Sequence, residues 1–201
     1  MVGILHSEMF TWSKRHWMSI EHWNIDTTWT LFLDRDGVIN KRIFGNYVTG
    51  KEAFEFLDRA KEAVALLSDY FELIIVVTNQ QGIAKGIMTE RNLKDIHTYM
   101  CEEIHLAGGK IDKCYFAPNL HGAEDDMRKP KPKMAELAKA DFPKIDFHKS
   151  IMVGDTDTDI EFGRNLGMKT VRIKSDETVS CPADITVDSL ILFANKLKNE
   201  I

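Results

Sequence analysis

Two acidic residues stand directly behind a short apolar run near the start of the regular part of the chain. The run Leu31–Leu33 is followed by Asp34 and Asp36, and Gly37 comes next. Side chains two positions apart point to the same side if the strand continues, and buried carboxylates are unfavourable unless a cation compensates them. Such a pair can bind a divalent cation, attack an electrophile or transfer a proton.

Three more polar clusters follow later apolar runs. They are Thr78-Asn79-Gln80, Arg128-Lys129-Pro130 and the acid-rich segment Asp155–Asp159. In open parallel sheets, ligands bind beyond the carboxyl ends of the strands. We therefore expect the acid pair and these three clusters to meet at one edge of a sheet.

The combined set has the parts that phosphoryl transfer needs, which are positioned donors and neutralised charge. Asp34, Asp36 and Asp155 would repel one another at one edge, and Mg²⁺ with oxygen ligands resolves this repulsion. The hydroxyl of Thr78 suits a phosphate oxygen, and Lys129 offers a positive charge. Each cluster alone has an ordinary explanation, such as a turn, a solvated basic loop or helix capping. Their order along the chain favours a common site.

The pattern between the clusters alternates short β-branched runs with amphipathic stretches of helical length. This alternation predicts an α/β fold with a mainly parallel sheet and right-handed crossovers. Asp58 is the expected N-cap of the first helix, which extends to Leu67. Strands are predicted over 30–33, 72–77, 111–116, 150–153 and 169–173, and further helices over 89–107, 133–140, 157–165 and 189–197.

The composition is that of a globular chain, since 44% of the 201 residues are hydrophobic and 28% are charged. A net charge of -5 argues against binding to nucleic acid or to an anionic membrane surface. No apolar run approaches the roughly 20 residues that span a bilayer, and residues 1–20 lack the apolar core of a signal peptide. Three scattered cysteines indicate a reducing compartment. We expect a cytoplasmic protein, and nothing in the sequence requires more than a monomer.

Residues 1–29 differ from the rest because they contain all four tryptophans and have no clear helical or strand period. Two interpretations stay open. The segment is either an aromatic arm that packs on the body or an extension from a translation start placed too early, with Met18 the natural first residue. Residues 30–201 are predicted to form a single domain, since no linker divides them.

Four segments resemble, in order, the four motifs of the haloacid dehalogenase (HAD) superfamily. They are DRDGVIN (34–40), VVTNQQGIAKG (76–86), RKPKP (128–132) and VGDTDTD (153–159). The last three resemble those of a narrower group, the histidinol-phosphate and D,D-heptose 1,7-bisphosphate phosphatases. The resemblance implies a three-layer Rossmann-like fold. The second acid, Asp36, favours a phosphatase over members that lack it, such as the dehalogenases and the transport ATPases.

The resemblance also implies a role for each acid. Asp34 would be the nucleophile and a Mg²⁺ ligand, and Asp155 the remaining carboxylate ligand. Asp36 would protonate the leaving oxygen and then activate water, while its backbone carbonyl binds the metal. Asp159 would support the site from behind the metal ligands.

The phosphate-binding roles carry over in the same way. Thr78 and the amide of Asn79 would hold the phosphoryl oxygens, with Gln80 beside them. Lys129 would neutralise the nucleophile and the phosphate, and Arg128 would help to recognise the substrate.

One segment departs from the narrower group, which usually carries a zinc loop just before its RKP motif. The positions of the four zinc ligands are occupied here by Ala117, Asn119, Asp125 and Met127. We therefore expect no structural zinc. A separate stripe with metal-like spacing on one helix face is interpreted as a partly buried helix surface; it consists of His97, Cys101 and His105.

The spacing of the motifs leaves no room for the mobile cap domain that many members of the superfamily carry. The intervals from Asp34 to Thr78 and from Gly86 to Arg128 each accommodate little more than one helix, one strand and a loop. We expect a capless fold with an open site shaped by residues 41–48 and 117–127. An open site argues against a sugar phosphomutase, whose intermediate must be shielded from water.

These features predict a Mg²⁺-dependent phosphomonoester hydrolase that acts on a small phosphorylated metabolite through an aspartyl-phosphate. A sugar bisphosphate such as D-glycero-D-manno-heptose 1,7-bisphosphate is the first candidate substrate, with removal of the 7-phosphate, and histidinol phosphate is the second. The alternative from another class is a non-catalytic phosphate-binding or regulatory module. The intact pair of Asp34 and Asp36 argues against that alternative.

Overall fold

Short apolar runs form the strands of one parallel sheet. The computed structural model describes residues 19–201. Within them the strands lie in the order β3-β2-β1-β4-β5-β6. Their bounds are Thr30–Leu33 (β1), Leu73–Asn79 (β2), Lys113–Ala117 (β3), Ser150–Gly154 (β4), Lys169–Ile173 (β5) and Ile185–Val187 (β6).

Amphipathic segments between the strands form helices at the predicted places, so the predicted α/β fold is confirmed. Only a loop, one 3₁₀ turn and the first helix separate β1 from β2, which agrees with a capless fold. The helices are Ala60–Leu67 (α1), Glu90–Leu106 (α2), Lys133–Asp141 (α3), Asp157–Asn165 (α4) and Leu190–Glu200 (α5), with 3₁₀ turns at Glu21–Trp23, Lys51–Ala53 and Phe147–Lys149.

Two local predictions were wrong. Asp58 does not cap α1, because the residue before the helix is Arg59, in a left-handed conformation with φ of 54°. Strand β6 was not predicted, since only the first of its three residues is buried and so short a run has no readable period. It pairs in parallel with β5, with Ile185 beside Val171.

The strands bury both faces, and alternate side chains enter different cores. Leu31 and Leu33 of β1 pack in a core shared with α1, α2 and α5. Phe32 enters a second core, shared with α3 and α4. Because helices cover both faces, the strands are almost continuously apolar, as is usual for parallel sheets. The molecule therefore has three layers.

The central strand β1 brings the predicted functional segments together. It pairs in parallel with β2 on one side and with β4 on the other, so that Leu33 lies beside both Val76 and Val153. The residues that follow these strands therefore leave the sheet at the same edge. The order of the strands reverses at this point, which is where ligands bind in open α/β sheets.

The segment before β1 packs its apolar side chains into the core that contains α1, α2 and α5. Ile20, Trp23 and Trp29 are buried there. The carboxylate of Glu200 accepts hydrogen bonds from the Ser19 hydroxyl (3.1 Å) and from the backbone N–H of Ile20 (2.8 Å). Residues 1–18 lie outside the described part of the chain. The choice between an aromatic arm and an extension before Met18, and the domain limit at residue 29, therefore stay predictions. No helix within residues 19–201 is both long enough and apolar enough to cross a membrane.

Candidate active site

A buried lysine ties two acidic residues together at the carboxyl edge of the sheet. The Lys129 ammonium donates to Asp34 Oδ1 and to the carbonyl of Val77, each at 2.7 Å, and lies 2.7 Å from Asp159 Oδ1. The backbone N–H of Lys129 also donates to Asn79 Oδ1 at 2.9 Å. These bonds hold the loop that carries Lys129 against the end of β2.

Burial and the shared contact with Lys129 shift the pKa values of the two acids in opposite directions. Burial raises the pKa of Asp34 to about 6, with help from Asp159 and Asp36, although Lys129 opposes the shift. Burial also acts on Asp159, but Lys129 and the Thr156 donors outweigh it and lower its pKa. Burial opposes the charge of Lys129, yet Asp159 and Asp34 raise the pKa of its ammonium. The lysine therefore stays protonated between the two acids.

Asp155 is the least compensated acid of the site. Burial, together with the nearby Asp34 and Asp159, raises its pKa to about 8. Its Oδ2 atom is buried and has no hydrogen-bond partner among residues 19–201. Gly37 allows this close approach, because it has a φ of 94° and a Cβ atom there would lie 2.2 Å from Asp155 Oδ2.

The acids form a group that fits a hard divalent cation. One carboxylate oxygen from each of Asp34, Asp155 and Asp159 lies within 4.8 Å of the others, and all three residues are buried. Oxygen donors at this density suit Mg²⁺, which usually binds through one or two carboxylates and keeps several waters. The Asp155 carboxylate has unused acceptor capacity, since its Oδ2 has no partner in the described chain, and a cation bound to this carboxylate would compensate its charge.

The side chain of Asp36 is held outside this group. Its carboxylate accepts hydrogen bonds from the Arg35 guanidinium (3.0 and 2.9 Å), Asn40 Nδ2 (2.9 Å) and Gln80 Nε2 (2.9 Å). Burial alone would raise the pKa of Asp36, but the Arg35 charge and these hydrogen bonds outweigh it and lower the pKa. The backbone carbonyl of Asp36 faces the acid group, because Arg42 Nη2 contacts both this oxygen (3.1 Å) and Asp155 Oδ1 (2.7 Å).

Arg42, which was not singled out in the sequence, reaches into the acid group. Its Nη2 donates to Asp155 Oδ1 at 2.7 Å and to the carbonyl oxygen of Asp36 at 3.1 Å. Its Nη1 donates to Glu177 Oε1 at 2.9 Å. The sequence offered one signal for Arg42, a basic residue in the loop 41–48 that was expected to shape the site. Its pairing with Glu177 could not be predicted, because the two residues are far apart in the sequence.

The predicted phosphate-binding residues line a cleft of about 390 Å³ beside these acids. Thr78 Oγ1 accepts a hydrogen bond from Gln80 Nε2 at 3.0 Å, which links the turn after β2 to Asp36. Arg128 also lines the cleft, and its Nε and Nη1 atoms are buried without a partner in the described part of the chain. Those donors can bind an anionic ligand.

Only one of the two loops expected to shape the site does so. Residues 42–48 line the cleft, and Phe44 is exposed at its rim. None of residues 117–127 is among the lining residues. That loop folds on itself instead, because the Asp126 carboxylate accepts hydrogen bonds from the backbone N–H groups of Gly122 (3.3 Å) and Arg128 (2.9 Å).

The histidine stripe of α2 is a packing surface, as interpreted from the sequence. His97 is buried with Nε2 3.4 Å from Arg35 Nη1, Cys101 is half-buried and His105 is exposed. Burial, followed by the Arg35 charge, lowers the pKa of His97 to about 3. The neutral ring supports the arginine that orients Asp36. This support was not recognisable in the sequence.

Comparison with known proteins agrees with this geometry. A family model described as HAD-hydrolase-like matches residues 126–189. The D-glycero-D-manno-heptose-1,7-bisphosphate 7-phosphatase of Chlorobaculum tepidum is 38% identical over 156 residues, which are 72% of this chain and 78% of that protein. The D-glycero-alpha-D-manno-heptose-1,7-bisphosphate 7-phosphatase of Mycobacterium tuberculosis is 34% identical over 170 residues, or 83% and 90% of the two chains.

A solved structure extends the likeness to the fold. The D,D-heptose 1,7-bisphosphate phosphatase from B. bronchiseptica, in complex with magnesium and phosphate, superposes with a TM-score of 0.74 at 22% identity. The superposition covers 86% of this chain and 99% of that one. The sequence identity to the curated relatives and the ordered motifs at one sheet edge lead to one conclusion: the chain belongs to the haloacid dehalogenase superfamily and is a phosphatase.

Proposed function

We propose that this phosphatase removes the 7-phosphate of D-glycero-D-manno-heptose 1,7-bisphosphate in a Mg²⁺-dependent reaction. The observation that carries the proposal is that Asp34, Asp36 and Lys129 line one cleft and that Asp155 lies in the acid group beside it. The relatives' names support the substrate, since those proteins are heptose bisphosphate 7-phosphatases.

Asp34 is the proposed nucleophile. Its carboxylate attacks phosphorus, the bond from phosphorus to the sugar oxygen breaks, and an aspartyl-phosphate forms. Lys129 binds Asp34 Oδ1 at 2.7 Å, which fixes the carboxylate and places a positive charge beside the phosphoryl group. Water hydrolyses the aspartyl-phosphate in the second step and restores Asp34.

Asp36 is the proposed general acid and base. The amide groups of Asn40 and Gln80 and the Arg35 guanidinium hold its carboxylate on the cleft side of the nucleophile. In the second step the ionised carboxylate takes a proton from the attacking water. That proton is the one that Asp36 gives to the leaving sugar oxygen in the next turnover.

The metal would be held by Asp34, Asp155 and the backbone carbonyl of Asp36. When bound, Mg²⁺ supplies charge neutralisation for the phosphoryl oxygens and for the buried acids. Asp159 contributes through Lys129, because its carboxylate lies 2.7 Å from the ammonium and keeps that side chain in place.

The rest of the cleft suits a phosphorylated sugar. We assign the Thr78 hydroxyl and the Asn79 amide, which line the cleft, to the reacting phosphoryl group, with Gln80 beside them. Arg128 offers two donors without a partner in the described chain, Nε and Nη1, and we assign its positive charge to the second phosphate. A volume of about 390 Å³ is sufficient for a small sugar bisphosphate.

The test is a comparison of kcat/KM for heptose 1,7-bisphosphate, histidinol phosphate and other sugar phosphates, with Mg²⁺ and with a chelator. We expect the bisphosphate to exceed histidinol phosphate by at least about 100-fold, or about 2.7 kcal/mol of transition-state binding. Phosphorus NMR of the product should show that the 1-phosphate remains. A higher kcat/KM for histidinol phosphate would show that histidinol phosphate, not the heptose bisphosphate, is the substrate. Binding of phosphate without turnover of any ester would favour a regulatory module.

The proposal has three further parts that solution measurements can check. We expect no structural zinc, because Ala117, Asn119, Asp125 and Met127 lack the ligands, and elemental analysis of the purified protein tests this. We expect a monomer, which light scattering measures directly. We also expect the protein in the cytoplasm, which fractionation of the source cells would establish.

A further inference from the structure

The guanidinium of Arg42 lies among the oxygens that we assign to the metal ion. Its Nη2 is 2.7 Å from Asp155 Oδ1, 3.1 Å from the carbonyl oxygen of Asp36 and 3.9 Å from Asp34 Oδ2. One positively charged nitrogen therefore contacts or approaches an oxygen from every proposed ligand.

A metal ion and this guanidinium cannot share the position. Mg²⁺ binds its oxygens at about 2.0–2.1 Å. An ion bound to Asp155 Oδ1 and to the Asp36 carbonyl would fill the space between these atoms, where Nη2 of Arg42 now lies. Repulsion between the two positive charges adds to the steric conflict.

Arg42 compensates the one acid of the group that Lys129 does not reach. Asp34, Asp155 and Asp159 are buried carboxylates, and Lys129 reaches only the first and the last of them. Arg42 is the cation that pairs with Asp155. Without it, this buried carboxylate would lack any opposite charge at contact distance in the described chain.

The surroundings of Arg42 allow it to leave. Its side chain is 24% exposed, whereas that of Asp155 is 1% exposed, so the guanidinium enters the group from the solvent side. The neighbouring residues 43–46 of its loop are exposed. Loops with few buried contacts open at low free-energy cost. Glu177, which is 35% exposed, pairs with the outer nitrogen of the guanidinium.

We propose that Arg42 is an internal counter-ion of the acid group, placed where the cation would bind, and must withdraw before Mg²⁺ binds. This inference rests on the metal ligands of the proposed function. Its consequence is that the intact protein binds Mg²⁺ more weakly than its acids alone would, because only the fraction of molecules with an open position is competent. Arg42 thus sets the metal affinity without contacting the metal.

The main experiment is calorimetric titration of Mg²⁺ into the chelator-treated full chain, without substrate. We expect Arg42→Gln to lower the Kd for Mg²⁺ about tenfold. Lys85→Gln is the matched control, since Lys85 lines the same cleft with its ammonium over the Tyr47 ring at 5.5 Å. Loss of that charge should change the Kd by less than about twofold, because exposed charges are largely screened.

A second variant separates displacement from a general charge effect. Glu177→Gln removes a negative charge near the site, so simple electrostatics predicts weaker Mg²⁺ binding. Our proposal predicts tighter binding, by about threefold, because Arg42 loses the partner that holds its outer nitrogen. The sign of the change therefore decides between the two explanations.

Thermal melting gives a readout that is independent of calorimetry. In chelator, Arg42→Gln should melt below the parent protein, and excess Mg²⁺ should raise its melting temperature more than that of the parent. Equal or weaker Mg²⁺ binding by Arg42→Gln would overturn the inference and leave the phosphatase assignment intact. If neither protein bound Mg²⁺ and both retained activity in chelator, the proposed metal site itself would be wrong.

Discussion

Aspartates of the site differ in charge because each has a different set of neighbours. The charge of Lys129 and the hydrogen bonds that Asp159 accepts from Lys129 and Thr156 lower the pKa of Asp159 despite its burial. Burial dominates at Asp34 and Asp155 and raises the pKa to about 6 and about 8. The two aspartates with raised pKa values are the ones that a cation would contact. Perturbed pKa values of this kind are typical of functional sites.

The proposed role of Asp34 as nucleophile is tested by Asp34→Asn. An amide cannot form the aspartyl-phosphate, so kcat on an aryl phosphate should fall by roughly 10³-fold or more. Asp95→Asn, an exposed position on α2, is the control and should leave kcat unchanged. Retention of more than a tenth of the activity in Asp34→Asn would contradict the covalent mechanism.

Gly37 is tested by Gly37→Ala. The new Cβ would lie 2.2 Å from Asp155 Oδ2 on a backbone with φ of 94°, so either the chain or the acid must move. We expect a loss of about 1–3 kcal/mol in the free energy of unfolding and at least a tenfold weaker Kd for Mg²⁺. Chemical denaturation and calorimetry measure the two effects.

Gly45→Ala separates backbone strain from the steric conflict. Gly45 also has a positive φ, of 70°, but nothing lies within 4 Å of the position where a Cβ would stand. This variant should lose only about 1 kcal/mol and keep its Mg²⁺ affinity. Similar Mg²⁺ affinities for both variants would show that contact with Asp155 is unimportant.

At the scale of the elements, continuous apolar runs were sufficient to predict the strands whose ends carry the site. Leu31–Leu33 and the other central runs are buried on both faces, so their apolar character is unbroken. The same signal could not predict the position of Arg42, because a loop side chain is placed by hydrogen bonds rather than by period. Its partners Asp155 and Glu177 are more than 100 positions away in the chain.

Helix α2 contributes a pH-dependent contact with the loop after β1. His97 stays neutral in the folded protein because burial and Arg35 lower its pKa from 6.5 to about 3, while Asp36 opposes the shift. Below pH 6.5 the unfolded chain binds a proton that the folded chain does not. Stability from this group is therefore complete above about pH 6.5 and decreases as pH falls toward 3, by about 1.4 kcal/mol per pH unit.

The corresponding experiment is denaturation of His97→Gln between pH 7 and pH 4. The amide oxygen can still accept from Arg35, but it does not titrate, so the variant should lose less stability over this range than the parent. His105→Gln, an exposed position on the same helix, should follow the parent. Parallel curves for His97→Gln and the parent would mean that His97 does not contribute to the acid sensitivity.

At the scale of the whole molecule, the first described residues and the last helix close the same core. Ile20 and Trp23 pack with Phe193 and Leu197 in the core on the α1, α2 and α5 side. Glu200 binds the backbone of Ile20 across 180 positions of sequence. Aromatic composition alone left two interpretations of residues 1–29, because a tryptophan-rich segment without a period does not reveal which rings are buried.

The contribution of this segment is tested by Trp23→Ala. The side chain is 5% exposed and its ring lies 5.9 Å from the Lys169 ammonium. We expect a loss of about 3–5 kcal/mol in the free energy of unfolding, as for other large buried side chains. Leu106→Ala, at a side chain that is 80% exposed, should change stability by no more than about 0.5 kcal/mol. Both are measured by denaturant titration with calorimetry, and a Trp23→Ala protein as stable as Leu106→Ala would mean that residues 19–29 are not an integral part of the core.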